Sequence, residues 1–196
     1  MNENGFFSKS NGVPKDILEE QASALNLPIV LFSTTWVDYE KNIIEALSSA
    51  GEKFNAEICV FGDIDIEPHK KFEEDVCNKA NLKAVLPLWG EKREDLAHKI
   101  INSGLKAKIS VIRSDILPDS FLGIDYCAKT IINLQKLNVD LCGENGEFHT
   151  LVYDSPLFSR SISVPQGEPY VIMNYKLCNY QSKDVALSPQ IICHTP

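Results

Sequence analysis

Residues 140–150 concentrate side chains that could do chemistry, reading Asp-Leu-Cys-Gly-Glu-Asn-Gly-Glu-Phe-His-Thr. Glu144 and Glu147 supply two carboxylates, and an amide, an imidazole and a thiol lie within a few residues of them. Gly143 and Gly146 lack a Cβ, so the backbone there can adopt positive φ and approach a ligand closely. Carboxylates suit a cation or an amine. An acidic, solvated turn is the alternative interpretation, because Gly, Asn and Glu are common in turns.

The backbone around this segment decides where its side chains point. Glu144 and Glu147 share one face in a helical turn but point to opposite sides of an extended chain. Apolar residues lead into the segment at 137–141 and follow it at 151–153. A polar cluster between two apolar runs is typical of a site at the end of a sheet strand, and we predict that placement.

A second constellation reads Gly-Asp-Ile-Asp-Ile-Glu-Pro-His over residues 62–69. Its alternating acids invite a calcium-loop interpretation, but such a loop needs Gly at its sixth position, where Pro68 stands. A structural alternative is that Asp65 or Glu67 caps the following helix and complements its dipole. Asp63 directly follows a predicted strand and Gly62, so we predict that Asp63 is functional.

Composition excludes several classes of protein. The 196 residues suit one domain of ordinary size, and the 44% apolar content is that of a globular chain. A net charge of −8 argues against nucleic acid as a partner. No apolar run approaches the roughly 20 residues of a membrane helix, and the polar N-terminus has no secretory signal. The six cysteines form no C-x-x-C pair. We therefore expect a cytoplasmic protein with reduced thiols and no metal centre.

The middle of the chain alternates strand and helix patterns, which predicts βαβ units and a parallel sheet. A short apolar run at 28–32 comes first. The predicted helices cover residues 38–53, 68–80, 91–102 and 126–137, and the predicted strands cover 56–61, 83–88 and 108–112. The end of the chain changes character, with predicted strands at 161–164 and 170–175 and an irregular tail. Ligands of open parallel sheets lie beyond the carboxyl ends of the strands, where both polar clusters are expected.

Taken together, the two motifs resemble the diphthine–ammonia ligase family. The resemblance covers roughly residues 3–160 and is carried by residues 60–65, His69, residues 76–77, 86–89, 122–123 and 142–150. The string Cys-Gly-Glu-Asn-Gly-Glu-Phe-His-Thr at 142–150 is its most specific part. The family belongs to the N-type ATP pyrophosphatases, within the PP-loop superfamily. The resemblance thus implies a Rossmann-like, doubly wound α/β sheet over residues 1–160, with a small β-rich extension over 161–196.

The resemblance also implies a reaction and roles for the two motifs. ATP, with Mg²⁺, activates a carboxylate as an acyl-adenylate and releases pyrophosphate, and ammonia then attacks to give an amide and AMP. The carboxylate in archaea and eukaryotes is that of diphthine on elongation factor 2. Glu144, Glu147 and Asp63 are the implied catalytic residues. The implied substrate-binding residues are Gly62, Asp65, His69, Gly143, Asn145, Gly146, His149 and Thr150.

One departure from the family pattern is large. Family members open with a strand and a Ser-Gly-Gly-Lys-Asp-Ser loop that cradles the ATP phosphates, as glycine-rich loops at helix N-termini can. This sequence has no such loop, and residues 1–5 resemble a family segment just after the second strand. An opening βαβ unit is therefore expected to be missing, which leaves unpaired strand edges. An internal start, gene decay or a split protein would each explain the missing unit. Smaller departures are Asn11 for a usual His and Phe72 for a usual Trp.

Two functions are compatible with the resemblance to the family and with the missing phosphate-binding loop. The first is an ATP-dependent amide ligase, whose phosphate-binding part comes from a complementing N-terminal segment. The second is a non-catalytic remnant or interaction module that does not bind ATP alone. A homo-oligomer or a complementing segment is the expected protein partner, and a carboxylate and ammonia are the expected substrates.

Overall fold

The computed structural model describes residues 1–180, which form two compact units. One unit combines residues 1–29 with the chain from residue 94 onward, and the other comprises Val30–Arg93. The division differs from the predicted boundary between residues 160 and 161, which stays a prediction about domains. The predicted irregular tail, residues 182–196, lies outside the described residues. No helix in the described part is long and apolar enough to cross a membrane.

The Val30–Arg93 unit contains the predicted βαβ arrangement. It runs α2 (Tyr39–Phe54), β1 (Ile58–Val60), α3 (Glu67–Lys79) and β2 (Lys83–Val85). Strands β1 and β2 are parallel, with Cys59 opposite Ala84. Helix α2 ends at Asn55, which has a positive φ of 50°, and α3 carries Pro68 in its first turn, as predicted. A buried core cluster of this unit is formed by Cys77, Ala80 and Leu82, with Leu47, Cys59, Phe61 and Ala84 packed against it.

The other unit contains a four-stranded antiparallel sheet in the order β4-β3-β6-β5. Its elements are α1 (Lys15–Ala24), α4 (Arg93–Asn102), β3 (Lys106–Arg113), a short 3-10 helix (Asp119–Phe121), α5 (Ala128–Lys136), β4 (Phe148–Asp154), β5 (Tyr170–Ile172) and β6 (Tyr175–Leu177). The main core lies around β3 and α5, where Ile109, Ile112, Ile131 and Leu134 are almost fully buried. Helix α1 belongs to a second core cluster that includes Ile17, Leu151 and Tyr180.

The mixed α/β fold class is confirmed, with a parallel pair and a separate antiparallel sheet rather than one parallel sheet. Strand β3 was expected to continue the parallel sheet, but it pairs antiparallel with β4 and β6. The alternating pattern could not reveal this, because β4 begins inside the polar motif at Phe148.

Several predicted strands are shorter or absent. Residues 28–32 form no strand, and Ile29, Val30 and Phe32 are each more than a third exposed. The strand at 83–88 stops at Val85 because the chain turns before Pro87, which has no N–H to donate. Residues 161–164 form no strand and precede Pro165. The strand at 170–175 is a hairpin instead, because Met173 turns the chain with a φ of 54°.

Candidate functional site

The acidic motif forms a tight turn immediately before β4. Asp140 organises the turn, since its carboxylate accepts hydrogen bonds from the backbone N–H of Cys142 at 3.2 Å and of Glu144 at 2.8 Å. Gly143 and Gly146 both have positive φ, at 73° and 77°. The motif was predicted to follow a strand, and that placement is wrong: residues 138–147 form a loop that leads into β4.

Two features of the structure require glycine at position 143: its positive φ and the lack of room for a side chain. A Cβ at this position would lie 2.7 Å from the carbonyl oxygen of Phe148, an atom that cannot move independently of β4. Phe148 is itself buried, and its ring centroid lies 6.1 Å from that of Tyr126. The Tyr126 hydroxyl donates a 2.7 Å hydrogen bond to the carbonyl of Leu141. The turn is therefore attached to the main core on both sides.

Glu147 is the buried carboxylate of this turn, with 7% of its surface exposed. Asn145 orients it twice: the backbone N–H donates to Oε2 at 3.1 Å and Nδ2 donates to Oε1 at 3.2 Å. The backbone of Glu147 is also fixed, because its carbonyl accepts the N–H of Arg113 at 2.9 Å. A buried carboxylate held in one orientation can receive hydrogen bonds from a ligand at defined positions.

Arg113, at the end of β3, is a cation whose charge interacts with that of Glu147. Its guanidinium pairs with Asp115, with Nε 3.2 Å from Oδ1. The hydrogen bond to Asp115 raises the pKa of Arg113, and the negative charge of Glu147 contributes further. Glu147 is thus buried beside a permanent positive charge, which reduces the cost of burying an ionised carboxylate.

His149 and Thr150 lie on β4, paired with Val111 and Ile109 of β3. The register shifts between these two pairs, so Ser110 forms a bulge, and its Oγ donates to the carbonyl of His149 at 3.2 Å. Burial lowers the pKa of His149 below its ordinary value. The imidazole is therefore neutral at neutral pH and can accept a proton or a hydrogen bond.

The second motif lies in the Val30–Arg93 unit. Asp63 directly follows the β1 region, and its Oδ1 lies 2.9 Å from Nδ1 of His69 in the first turn of α3. Asp65 forms a two-point ion pair with Arg93, in which Nε lies 2.8 Å from Oδ2. This hydrogen bond lowers the pKa of Asp65. At Gly62 a Cβ would meet nothing within 4 Å, so packing does not require glycine there.

The capping prediction for α3 is wrong for both acids. Ile66 occupies the N-cap position, and no side chain caps the helix by a hydrogen bond. Glu67 is in the first turn, where a negative charge still complements the helix dipole. Asp65 is instead committed to Arg93.

Glu73 is a residue that the sequence analysis missed. It is on α3, two turns beyond the N-cap, and only 8% exposed. Burial, followed by its interaction with Asp63, raises the pKa of Glu73 to about 8. Helix α3 contains several acidic residues, and nothing in the sequence indicates that Glu73 is the one whose side chain is buried. Its relation to Asp63 appears only when β1 and α3 are placed together.

The raised pKa of Glu73 predicts a pH dependence of stability. Below about pH 4.5 the carboxyl is neutral in both states; as the pH rises toward 8, the unfolded chain ionises first. The folded state therefore loses stability over this interval, by up to roughly 1.4 kcal/mol per pH unit. Glu73→Gln should remove this slope, so in urea unfolding the free energy of unfolding of the variant should rise relative to that of wild type by about 3.5 kcal/mol between pH 5 and pH 8. Exposed Glu74 provides the control, and parallel pH profiles for wild type and Glu73→Gln would contradict the assignment.

The structure keeps the two motifs in separate units. Asp63, Asp65 and His69 are in Val30–Arg93, whereas residues 143–150 are in the other unit. Within each unit the predicted residues are brought together, as Asp63 with His69 and Asn145 with Glu147. That the two motifs line one crevice stays a prediction.

The turn at 140–147 does not fit the phosphates of ATP. Its backbone N–H groups at residues 142–146 are all used within the turn, at Asp140, Gly143 and Glu147. Phosphate cradles need such groups to be available, and acids here would repel phosphate. The described residues also contain no group of three or more His, Cys, Asp or Glu that could hold a metal ion. No step through ATP or Mg²⁺ can be assigned to this turn.

The fold and the turn together define the class: an α/β protein with a βαβ unit and an antiparallel sheet that carries a glycine-bounded acidic turn. The family model of the diphthamide synthase C-terminal domain matches residues 92–184. The matched region begins at residue 92, within two residues of the boundary between the two compact units, which lies between Arg93 and Glu94. Residues 92–184 therefore match the model of that family, and the predicted resemblance to the diphthine–ammonia ligases is confirmed.

Individual relatives carry the same name. The chain is 33% identical to diphthine–ammonia ligase of Homo sapiens over 135 residues, which are 67% of this chain and 51% of the human protein. It is 32% identical to that of Bos taurus over 137 residues, with the same coverage. The relative in Saccharomyces cerevisiae is 28% identical over 176 residues, 78% of this chain and 25% of the yeast protein. The chain thus spans about half the length of the mammalian relatives.

Proposed function

We propose that this chain carries the acceptor-substrate side of a ligase that joins ammonia to a carboxylate, the reaction that its relatives' name describes. Diphthine is the proposed carboxylate, and ATP would supply the driving force and leave as AMP and pyrophosphate. The observation that supports this proposal is Glu147, a buried carboxylate that Asn145 orients at a glycine-bounded turn. Ammonia and ammonium donate hydrogen bonds, and an oriented carboxylate accepts them.

The residues of the turn have distinct roles in this proposal. Glu147 receives the N–H groups of the nitrogen substrate, and Asn145 is a positioning residue that fixes its carboxylate. Glu144, which is half-buried, is a second acceptor at the same turn. His149 is neutral because burial lowers its pKa, so it can take the proton that ammonium must lose before it attacks. The glycines allow the backbone to form the turn.

A non-catalytic role is the second candidate, and one observation favours it. The backbone N–H groups of the turn are all used internally, so the turn offers no site for ATP phosphates. A remnant or interaction module of this kind would bind the substrate-bearing protein without turning it over. ATP binding by the 196-residue chain separates the candidates: calorimetric binding at micromolar ATP would exclude the non-catalytic candidate.

The ligase proposal is tested by pyrophosphate release. Residues 1–196, joined to the Ser-Gly-Gly-Lys-Asp-Ser segment of the family, should release pyrophosphate over many turnovers only when ATP, ammonium and diphthine-bearing elongation factor 2 are all present. Omitting ammonium should stop amide formation. Release that is indifferent to both the carboxylate and ammonium would contradict the proposal.

A further inference from the structure

The hairpin formed by β5 and β6 lies against the acidic turn. The hydroxyl oxygen of Tyr175, the first residue of β6, lies 3.6 Å from the position that a Cβ on Gly146 would occupy. Tyr175 is also the register partner of Arg113 on β3, and the backbone N–H of Arg113 donates to the carbonyl of Glu147 at 2.9 Å. All of these residues are in the same compact unit. The hairpin therefore forms one side of the candidate site, although the sequence motifs did not point to it.

The tip of this hairpin is anchored at the end of β3. Ser114 donates its backbone N–H to the carbonyl of Asn174 at 2.7 Å. The pKa of Asp115 is lowered chiefly by its hydrogen bond with Arg113, and a hydrogen bond with the Asn174 side chain lowers it further. Tyr175 follows Asn174 directly, so these contacts fix the backbone from which its side chain extends. A side chain on a fixed backbone presents its polar group at a defined position.

The hydroxyl of Tyr175 is available to a ligand. Within residues 1–180 no side chain or backbone group hydrogen-bonds this hydroxyl, although the residue is half-buried. The backbone N–H groups at residues 142–146 bond within the turn, and the guanidinium of Arg113 pairs with Asp115. A phenolic hydroxyl donates one hydrogen bond. Tyr175 therefore offers a donor beside a turn whose backbone donors are already used.

Amide formation needs a donor at the acyl oxygen of the acceptor. When nitrogen held at Glu147 attacks the activated carboxyl carbon, a C–N bond forms and the π electrons of the C=O bond move onto oxygen. The nitrogen gives one proton to the carboxylate of Glu147. The C=O bond then re-forms, and the activating group leaves with the electron pair of its bond to carbon. Negative charge on the oxygen would be repelled by the acids of the turn, so a donor aimed at that oxygen lowers the barrier.

We propose that Tyr175 is a catalytic residue whose hydroxyl donates a hydrogen bond to the acyl oxygen of the acceptor while nitrogen at Glu147 attacks. This inference rests on the proposed ligase and deepens it, because it assigns the acceptor's carboxyl group to the hairpin side of the turn. The space it needs is open. Apart from the chain neighbours of Gly146, the Tyr175 hydroxyl is the single described group within 4 Å of a Cβ built on that glycine. The two reactants therefore meet beside Gly146.

Tyr175→Phe tests this role in residues 1–196 joined to the phosphate-binding segment, because it removes the hydroxyl and keeps the ring. The single-turnover rate of amide formation at saturating ammonium should fall about 100-fold. The ammonium concentration that gives half of this rate should change less than about threefold, because Glu147 still holds the nitrogen. Tyr153→Phe is the matched control and should keep the wild-type rate. Its hydroxyl lies 3.2 Å from Oδ1 of Asp125, and Tyr153 is near the end of β4 that is remote from the turn.

Gly146→Ala is a second variant, which should lower the rate at least about tenfold because its methyl group fills the space beside the hydroxyl. The urea midpoint and near-UV circular dichroism of Tyr175→Phe should match those of wild type. A wild-type rate in Tyr175→Phe, an equal loss in Tyr153→Phe, or a weaker response to ammonium with an unchanged maximal rate would overturn the role of Tyr175 and leave the ligase standing. Absence of amide formation by wild type would instead overturn the ligase, and the role of Tyr175 with it.

Discussion

Replacing Glu147 with glutamine should lower the rate of pyrophosphate release by roughly 100-fold or more in the chain joined to the family's phosphate-binding segment. Glutamine keeps the size of the side chain but removes its charge and one acceptor. Both carboxylate oxygens of Glu147 accept hydrogen bonds from Asn145, so an amide nitrogen placed there would face a donor. The loss should appear mainly in kcat with ammonium as the varied substrate, because the oriented acceptor acts on the nitrogen that attacks.

The matched control for Glu147 is Glu168→Gln. Glu168 is an exposed glutamate in the same unit, so the variant makes the same change in net charge without touching the turn. Glu168→Gln should turn over at the wild-type rate. Near-UV circular dichroism should be the same for both variants. A Glu147→Gln enzyme that is folded and fully active would remove the role assigned to this residue.

Replacing Gly143 with alanine should lower the free energy of unfolding by about 3 kcal/mol. The new Cβ would lie 2.7 Å from the carbonyl oxygen of Phe148, and φ at this position is 73°. Relief requires a shift of the turn or of the start of β4, and β4 is fixed by its pairing with β3. Urea unfolding measures the loss, and Glu147 should lose its orientation in the same variant because it is part of the same turn.

Gly146→Ala separates two contributions to the loss of stability in Gly143→Ala, the clash with Phe148 and the strain of a positive φ. Gly146 has nearly the same φ, 77°, but its nearest neighbour to an added Cβ is the Tyr175 hydroxyl at 3.6 Å, an ordinary contact distance. Gly146→Ala should therefore cost only about 1 kcal/mol, the strain of alanine in a left-handed conformation. Equal losses for the two variants would show that the Phe148 contact does not determine the need for glycine at 143.

Local sequence patterns predicted the helices of the Val30–Arg93 unit well. Helices α2 and α3 start and end within one residue of the predicted positions, because Gly62, Pro68 and the 3.6-residue spacing of apolar residues are all local signals. The parallel pairing of β1 with β2 follows from the same alternation and is confirmed. Local signals were sufficient where each element was separated from the next by a clear turn.

The antiparallel sheet was less predictable, because its strands depend on partners far away in the chain. Phe148 starts β4 inside a motif that reads as polar, and its place is set by pairing with Ile112 of β3. Residues 28–32 have the composition of a strand yet form none, since an extended segment needs a partner to bond with. Helix α1 was also missed; its sequence, Lys15–Ala24, is short and mostly polar.

Some features of the candidate site were likewise predictable from the sequence, and others were not. Residue types alone were enough to propose Glu144, Glu147 and the two glycines as candidate site residues, because acids beside glycines are visible in the sequence. The orientation of Glu147 by Asn145 and the burial of Glu73 were not visible, because each depends on the conformation of a turn or the packing of a helix. Residue types indicate what chemistry a motif could do, whereas burial and hydrogen bonds determine which of its acids can do it.

The central claim is that the turn at 140–147 presents the nitrogen substrate to a carboxylate, and isotope incorporation measures this most directly. ¹⁵N-labelled ammonium is supplied with ATP and diphthine-bearing elongation factor 2 to residues 1–196 joined to the phosphate-binding segment. The account predicts that mass spectrometry will find ¹⁵N in a new amide on the diphthine residue, at a rate that collapses in Glu147→Gln and not in Glu168→Gln. Pyrophosphate release without any ¹⁵N in the protein substrate, or equal incorporation by wild type and Glu147→Gln, would contradict it.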